Sequence, residues 1–236
     1  MQEVLQLSTN KINLYQYQSE YLGNSIDDII IKLMQKRRSN NVKTLLFCGT
    51  EPTVGTTTIT INLSISLAQD NNKILLIDSD MRKLAKHKKH GDAPLFGLSD
   101  FLSEKVSLGE IINKTNIDNL DYVTGGSSTG QSATLLCSPG LDKLISSFSE
   151  TYDFILFDSP SLGTVNDGAL LSMLIDGIFL IVELGKTTKS SINRAVQNLA
   201  ESHDKILGVL INKVAPPEYR VYMRNYDYFQ NRKYIH

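Results

Sequence analysis

The sequence has no tryptophan, only two cysteines, and no apolar run long enough to span a membrane. Cys48 and Cys137 lie far apart, and no Cys/His pair has the spacing of a zinc site, so a disulfide scaffold and a structural metal site are disfavoured. The formal net charge of -1 gives no argument for a nucleic-acid partner or for direct binding to an anionic membrane. The first residues also lack the charged and apolar regions of a signal peptide. These absences favour a globular protein of the reducing cytoplasm.

Predicted strands and helices alternate along the 236 residues, a length that suits one large domain with a buried core. Apolar residues at helical spacing predict an amphipathic helix from Glu20 to Arg38. Short apolar runs predict buried strands at 42–48, 74–77, 120–123, 154–157, 177–184 and 205–211. The expected fold is a doubly wound α/β domain, with a mainly parallel sheet and helices on both faces. We expect a loosely held arm at 1–19, the domain at 20–214, and a flexible tyrosine-rich tail at 215–236.

Two of the predicted strands end on carboxylates. The strand at 74–77 is followed by Asp78, Asp80 and Arg82, and the strand at 154–157 is followed by Asp158. Ligands of open parallel sheets bind outside the carboxyl ends of the strands, where these charges are expected to lie. An Asp-x-Asp pair there can orient a hydrated magnesium ion, because Mg²⁺ takes few protein carboxylates and keeps several waters. The alternative is a strand followed by a solvated acidic turn.

A loop from Gly49 to Thr58 links the first predicted strand to a helix. A helix N-terminus offers unpaired N–H groups and the positive end of the helix dipole, which suits a polyphosphate. Gly55 would let the backbone approach the phosphates closely. The usual phosphate loop ends Gly-Lys-Ser/Thr; here Thr57 supplies the hydroxyl, but Thr56 occupies the lysine position, and no lysine lies anywhere from 44 to 72. A tight threonine-rich turn that caps a helix explains this pattern about as well.

Three further features outside these motifs have candidate roles. Asn212 follows a predicted strand, and its amide can read an adenine edge. Asp167 is explained by capping of a helix. The basic stretch from Arg82 to Lys89 is interpreted as a solvated loop, since its histidines lack convincing metal spacing.

The C-terminal segment is rich in tyrosine, holding half of the ten tyrosines in the chain: Tyr219, Tyr222, Tyr226, Tyr228 and Tyr234. Four interleaved cations could indicate a nucleic-acid tail with stacking rings, but no wider basic face supports that reading. A packed terminal helix is the structural alternative, although few apolar residues are available to bury it. An exposed tail of tyrosines is most simply a set of phosphoryl acceptors.

Together these residues resemble the bacterial tyrosine kinases of capsule and exopolysaccharide assembly, relatives of the deviant-Walker ATPases with a P-loop NTPase fold. The resemblance runs from about Glu20 to the C-terminus. The family's Asp-x-Asp-x-Arg motif stands at 74–82, and its Asp-x-Pro motif stands at 155–160, with a downstream aspartate at Asp167. The segments 97–100 and 207–213 and the tyrosine cluster are also similar to the family.

Three family signatures are altered in this chain. The family's phosphate loop reads Pro-Gly-x-Gly-Lys-Ser/Thr, whereas residues 52–57 lack the first glycine and the lysine. The family's Glu-x-x-Arg-x-x-Arg motif assembles rings that pass one subunit's tail into the next subunit's site; here Glu20 remains, but Gly23 and Ile26 replace both arginines. After Gly126, the family's Pro-Pro-Asn-Pro-x-Glu-Leu becomes Thr-Gly-Gln-Ser-Ala-Thr-Leu. We therefore expect no ring of the family type.

The resemblance implies a site for ATP or ADP with Mg²⁺. The implied nucleotide-binding residues are Pro52, Thr53, Val54, Gly55, Thr56, Thr57, Thr58, Arg82 and Asn212. Thr57, Asp80 and Asp158 would hold the magnesium ion. Asp78 would accept the proton of the attacking tyrosine, so that Asp78, Asp80 and Asp158 form the implied catalytic set.

Two functions from different classes fit the family and its departures. One is a tyrosine autokinase of impaired catalysis that regulates capsular or exopolysaccharide synthesis and chain length. The other is an inactive pseudokinase that serves as a nucleotide-binding or docking module. A partitioning-type ATPase is a distant third, because it would need loop lysines that are absent. The resemblance implies a membrane-anchored activator, an intact kinase relative acting in trans, and a cytoplasmic location at the inner face of the membrane through that partner.

Overall fold

The structure, a computed structural model, describes residues 11–16, 20–82, 96–215 and 217. Seven strands form one sheet: β1 (Thr44–Gly49), β2 (Ile74–Asp78), β3 (Asn113–Lys114), β4 (Leu120–Val123), β5 (Phe154–Ser159), β6 (Gly177–Glu183) and β7 (Ile206–Asn212). Their order across the sheet is β3-β4-β2-β5-β1-β6-β7. All neighbours are parallel except β3 and β4. The predicted mainly parallel sheet is therefore confirmed.

Seven α-helices cover the two faces of this sheet within the described ranges. They are α1 (Glu20–Asn40), α2 (Thr56–Gln69), α3 (Leu98–Leu102), α4 (Ser132–Leu136), α5 (Pro139–Ser149), α6 (Asp167–Ser172) and α7 (Lys189–Asn198). Helices α1 and α2 share one apolar cluster with the sheet, and α3 to α7 contribute to a second cluster on the other face. This arrangement confirms the predicted doubly wound fold.

Strand β1 shows why the apolar runs in the sequence form central strands. Successive side chains of a strand point to opposite faces, so Leu45 and Phe47 enter the cluster under α1 and α2 while Leu46 and Cys48 enter the other. All four side chains have no exposed surface. Burying a leucine or phenylalanine contributes about 1.5–3 kcal/mol. A strand that packs on both faces must be apolar throughout, and this places the loop after β1 at the middle of the sheet.

Part of the N-terminal arm is packed against the domain. Ile12 and Leu14 are buried, and Ile12 bridges Thr115 beside the sheet. The Asn116 side chain accepts a hydrogen bond from the Leu14 amide at 2.7 Å and donates one to the Leu14 carbonyl at 3.0 Å. Residues 11–16 are thus held by specific contacts, unlike the loosely held arm expected from their mixed composition. Alternating Ile12 and Leu14 form a short apolar pattern that composition alone conceals.

A buried strand was predicted at 205–211, but the observed strand, β7, lies at an edge of the sheet. Val209 is 47% exposed and Ile211 is 57% exposed. Among the described residues, β7 pairs with β6 and has no further neighbour. The short antiparallel β3 was not predicted, since its two residues carry no strand pattern. No helix in the described part of the chain is long and apolar enough to cross a membrane.

Candidate active site

The predicted phosphate loop joins the end of β1 to the start of α2. Thr53 and Gly55 both adopt left-handed backbone conformations, with φ of 66° and 95°. Gly55 is the N-cap of α2, and no side chain caps this helix by a hydrogen bond. The first helical hydrogen bond runs from the Ile59 amide to the Gly55 carbonyl at 3.1 Å. The N–H groups of the preceding turn have no partner within the helix, so they are available to an anion.

Thr56 does not replace the loop lysine chemically. A Cβ built on Gly49 would lie 2.7 Å from Thr56 Oγ1, so this hydroxyl packs against the last residue of β1. Thr57 is half-buried and Thr58 is exposed at the same helix start. The loop therefore offers hydroxyl and backbone donors, but no positive side chain of its own between residues 44 and 72.

The three predicted catalytic carboxylates gather at the carboxyl ends of β2 and β5. Asp78 and Asp158 are direct neighbours in the parallel register, and alternation from Leu76 and Leu156 turns both toward the α2 face. Asp78, Asp80 and Asp158 are 7–8% exposed. The Asp80 amide donates to Asp78 Oδ1 at 2.9 Å, which fixes the turn after β2. The Ser79 amide and hydroxyl both donate to the Asp158 carbonyl, at 2.9 and 2.8 Å, and so tie that turn to β5.

These carboxylates do not form a metal cage by themselves. In the described ranges, no group of three or more His, Cys, Asp or Glu side chains could hold a metal ion. Magnesium usually takes only one or two protein carboxylates and completes its shell with water and substrate phosphates. The donor set, with carboxylates on the strand ends and N–H groups on the adjacent loop, therefore fits a magnesium–polyphosphate better than a metal ion alone.

Tyr122 is a member of the site that the sequence did not single out. It lies in β4, three residues before Gly125, and is 4% exposed. Burial raises the pKa of its hydroxyl, and the negative charges of Asp78 and Asp158 raise it further. The tyrosine therefore stays protonated beside the two carboxylates. The available signal was a polar ring within the predicted strand at 120–123.

Arg82 and Asp167 form a bidentate ion pair across the rim of the site. Arg82 Nε donates to Asp167 Oδ2 at 3.2 Å, and Nη2 donates to Oδ1 at 2.9 Å. Asp167 is the first residue of α6 and has no exposed surface, while Asn166 is the N-cap. The prediction that capping explains Asp167 is thus wrong, because its carboxylate binds Arg82. This hydrogen bond is the main cause of a raised pKa for Arg82, and it holds the predicted nucleotide-binding guanidinium on α6.

Two adjacent residues at the end of β7 contact the phosphate loop from the edge of the sheet. Asn212 Nδ2 donates to the Val54 carbonyl at 2.8 Å, so the amide that was predicted to read adenine is bonded to the loop. Lys213 Nζ donates to the Thr53 carbonyl and to Glu183 Oε2, each at 2.9 Å. The hydrogen bond from Lys213 is the main cause of a lowered pKa for Glu183. Lys213 was not among the predicted site residues, although the sequence places it directly after Asn212 at the end of a predicted strand.

The remaining predicted site residues are the proline of the loop and the tyrosines of the tail. Pro52 is exposed. The five predicted phosphoacceptors, from Tyr219 to Tyr234, lie outside the described residues, as does the basic stretch after Arg82. Their roles stay predictions.

Comparisons with known proteins agree with this geometry. A family model described as an AAA domain matches residues 42–206. Tyrosine-protein kinase CpsD of Streptococcus agalactiae is 32% identical over 162 residues, which cover 68% of this chain and 70% of that protein. Tyrosine-protein kinase YwqD of Bacillus subtilis is 32% identical over 171 residues, 72% of each chain. Among solved structures, the chimerical protein CapA2B2 has the same fold, with a TM-score of 0.74 at 24% identity over 86% of this chain and 93% of that one. From its motifs, its fold and these relatives, the chain belongs to the bacterial tyrosine kinase family of capsule and exopolysaccharide assembly.

Proposed function

We propose that this protein is an ATP-dependent tyrosine autokinase-like regulator of capsular or exopolysaccharide synthesis and chain length, with impaired catalysis. The observation that carries the proposal is the grouping of Asp78, Asp80 and Asp158 beside a phosphate loop that has no lysine at position 56. In this proposal, the three carboxylates serve the metal-binding side of a phosphoryl-transfer site. The loop lysine that would bind the phosphates is absent. Relatives named as tyrosine kinases support the reaction class.

Each carboxylate has a separate role in the proposed reaction. Thr57, Asp80 and Asp158 would hold the magnesium ion. Asp78 accepts the proton of the tyrosine hydroxyl as the phosphoryl group is transferred. Bound Mg²⁺ supplies charge neutralisation for the nucleotide phosphates, on which this chemistry largely depends.

The missing lysine sets the expected extent of impairment. A lost charge-assisted hydrogen bond weakens binding by about 1.5–3 kcal/mol. Loss of one preorganised donor to a developing charge costs about 3–4 kcal/mol, or two to three orders of magnitude in rate. Arg82 does not fill this place in the structure, because its guanidinium is held by Asp167. We therefore expect slow autophosphorylation, in the absence of a partner, at the tyrosines of the tail.

The second candidate is a pseudokinase that binds nucleotide or docks on the export machinery without transfer. Thr56 favours it, since the residue adds no charge to the loop. In that case an intact kinase relative would phosphorylate the tail in trans. Both candidates act at the inner face of the membrane through a membrane-anchored activator.

Radiolabelled ATP-Mg²⁺ separates the two candidates. The purified protein is incubated alone and with the cytoplasmic tail of the activator, and label on the five tail tyrosines is followed by mass spectrometry. Transfer that depends on Asp78 supports the autokinase; nucleotide binding without transfer supports the pseudokinase. Asp80→Asn should abolish Mg²⁺-dependent binding, since it removes a charge at the metal position. Binding that keeps its Mg²⁺ dependence in this variant would contradict the site assignment.

A further inference from the structure

Two consecutive side chains at the end of β7 are bonded to two consecutive carbonyls of the phosphate loop. Lys213 Nζ lies 2.9 Å from the Thr53 oxygen, and Asn212 Nδ2 lies 2.8 Å from the Val54 oxygen. The partners are separated by 160 and 158 residues in sequence. We call Asn212 and Lys213 the loop clamp. It ties the edge of the sheet to the loop at its centre.

The clamp determines which way the loop's N–H groups point. In a trans peptide unit, the carbonyl of one residue and the N–H of the next point in opposite directions within one plane. The Thr53 carbonyl faces Lys213, so the Val54 N–H faces away from β7. The Val54 carbonyl faces Asn212, so the Gly55 N–H also faces away. Two donors are thereby aimed at the opposite side of the loop.

The backbone conformation of the loop agrees with this orientation. Thr53 and Gly55 are left-handed, with φ of 66° and 95°, and such residues within a turn bring successive N–H groups together into an anion-binding concavity. A Cβ on Gly55 would lie 2.2 Å from Asn212 Nδ2. The space left by this glycine is therefore occupied by the clamp amide, which explains why glycine is needed there.

The clamp restrains Thr53, a residue in an unfavourable backbone conformation. The left-handed region is unfavourable for a β-branched residue, and Thr53 stands where the family has glycine. An outside restraint is needed to hold it, and the Lys213 ammonium is bonded to the carbonyl of that same residue. Glu183 in turn anchors the ammonium at 2.9 Å. The Lys213 ammonium thus links the Thr53 carbonyl to Glu183.

We infer that Asn212 and Lys213 are positioning residues that hold the phosphate loop in its anion-binding form, so that backbone donors bind the nucleotide phosphates in a loop without lysine. The inference rests on the proposed nucleotide site and goes beyond it. Lys213 acts from behind the loop, through the Thr53 carbonyl, and does not itself contact the phosphates. Asn212 acts in the same way through Val54.

The test compares two lysine variants that share one carboxylate. Lys213→Met removes the ammonium from both Glu183 and Thr53. Lys186→Met is the matched control, because Lys186 Nζ lies 3.4 Å from the same Glu183 oxygen and the two changes remove equal charge. Lys213→Arg serves as the conservative variant, since it keeps a long cationic donor. Each protein is measured by NMR relaxation without nucleotide and by calorimetry with ATP-Mg²⁺.

The inference makes distinct expectations for the two measurements. In nucleotide-free Lys213→Met, the amide order parameters of residues 53–55 should fall from about 0.85 to below about 0.6, while Lys186→Met keeps the wild-type values. ATP-Mg²⁺ affinity should fall about tenfold in Lys213→Met and should be partly restored in Lys213→Arg. The loss should persist at about 0.5 M salt, because a local restraint is screened little compared with long-range attraction.

The outcomes also separate this inference from the proposed function. Order parameters that are unchanged in Lys213→Met overturn the clamp, and so do equal losses of affinity in both methionine variants. If the wild-type protein binds no ATP-Mg²⁺, the proposed nucleotide site fails, and the nucleotide-free order parameters still decide whether the clamp holds the loop.

Discussion

At Thr53, a β-branched side chain sits on a left-handed backbone with φ of 66°. Such a conformation costs about 1–3 kcal/mol, and glycine adopts it without that penalty. Thr53→Gly should therefore raise the free energy of unfolding by about 1 kcal/mol, after allowance for the greater entropy of glycine in the unfolded chain. Urea unfolding with an unchanged m-value is the appropriate measurement.

Gly55 provides the control for this prediction. Gly55→Ala places a Cβ 2.2 Å from Asn212 Nδ2 at a φ of 95°, so it should destabilise the same loop. An unchanged midpoint for Thr53→Gly would show that the left-handed threonine carries no strain.

Thr56→Lys should restore the missing donor to the loop. We expect ATP-Mg²⁺ to bind about tenfold more tightly or better, because a charge-assisted hydrogen bond contributes about 1.5–3 kcal/mol. Gln69→Lys is the matched control, since Gln69 is exposed on the same helix, lies outside the predicted nucleotide-binding residues, and the added charge is equal. Calorimetry on both variants distinguishes a positioned donor from a general gain of positive charge. Equal gains in affinity, or no gain at all, would mean that a side chain at position 56 does not contact the nucleotide phosphates.

The ion pair between the turn after β2 and the start of α6 should respond unequally to loss of its two members. Asp167 has no exposed surface, whereas the Arg82 side chain is 37% exposed. Arg82→Met leaves a buried carboxylate without its cation, which should cost about 3–5 kcal/mol. Asp167→Asn leaves a cation that water can reach and should cost less. Thermal or urea unfolding at neutral pH gives the ranking, and a greater loss in Asp167→Asn would contradict it.

Elements whose environment is local were predictable from the sequence. The apolar run before Asp78 predicted β2, and apolar residues at helical spacing from Glu20 to Arg38 predicted α1, because full burial and helical periodicity both leave a local pattern. The exposure of β7 was not predictable in this way, since its apolar sequence does not reveal that it lies at an edge. Strand order depends on pairing between distant segments.

In the candidate site, too, residues marked by a local pattern were predicted, and residues that depend on distant contacts were not. The carboxylates Asp78 and Asp158 were predicted, because each directly follows an apolar strand. Lys213 was not, since its partner Thr53 lies 160 residues away in sequence. Tyr122 was missed for a similar reason: its role depends on β4 lying next to β2. Motifs identify residues that terminate an element, and the fold identifies those that meet across elements.

For the whole molecule, we predict a monomer, or a small oligomer formed through a surface other than α1. Gly23 and Ile26 stand where the family has the two arginines of its ring motif, and only arginine makes the bidentate ion pairs of that contact. Ile26 is 3% exposed and belongs to the core under α1. The position therefore faces the domain interior and presents no charge to a neighbour.

Light scattering at tens of micromolar tests this prediction. Gly23→Arg is a useful comparison, because no atom lies within 4 Å of the position of its Cβ, and we expect it to remain in the same oligomeric state. A stable ring in the unmodified protein would show the prediction wrong and would direct attention to the part of α1 around Glu20.

The bond between Lys213 and the phosphate loop also has a thermodynamic consequence for the tyrosine tail. The first tail tyrosine, Tyr219, follows Lys213 by six residues. If nucleotide favours the ordered loop, it must favour the attached end of β7 to the same degree, because coupling between two sites is reciprocal. Any partner whose capture of the tail displaces the end of β7 would then weaken nucleotide binding by the factor by which nucleotide weakens that capture. The end of β7 would thus couple nucleotide binding to capture of the tyrosine tail.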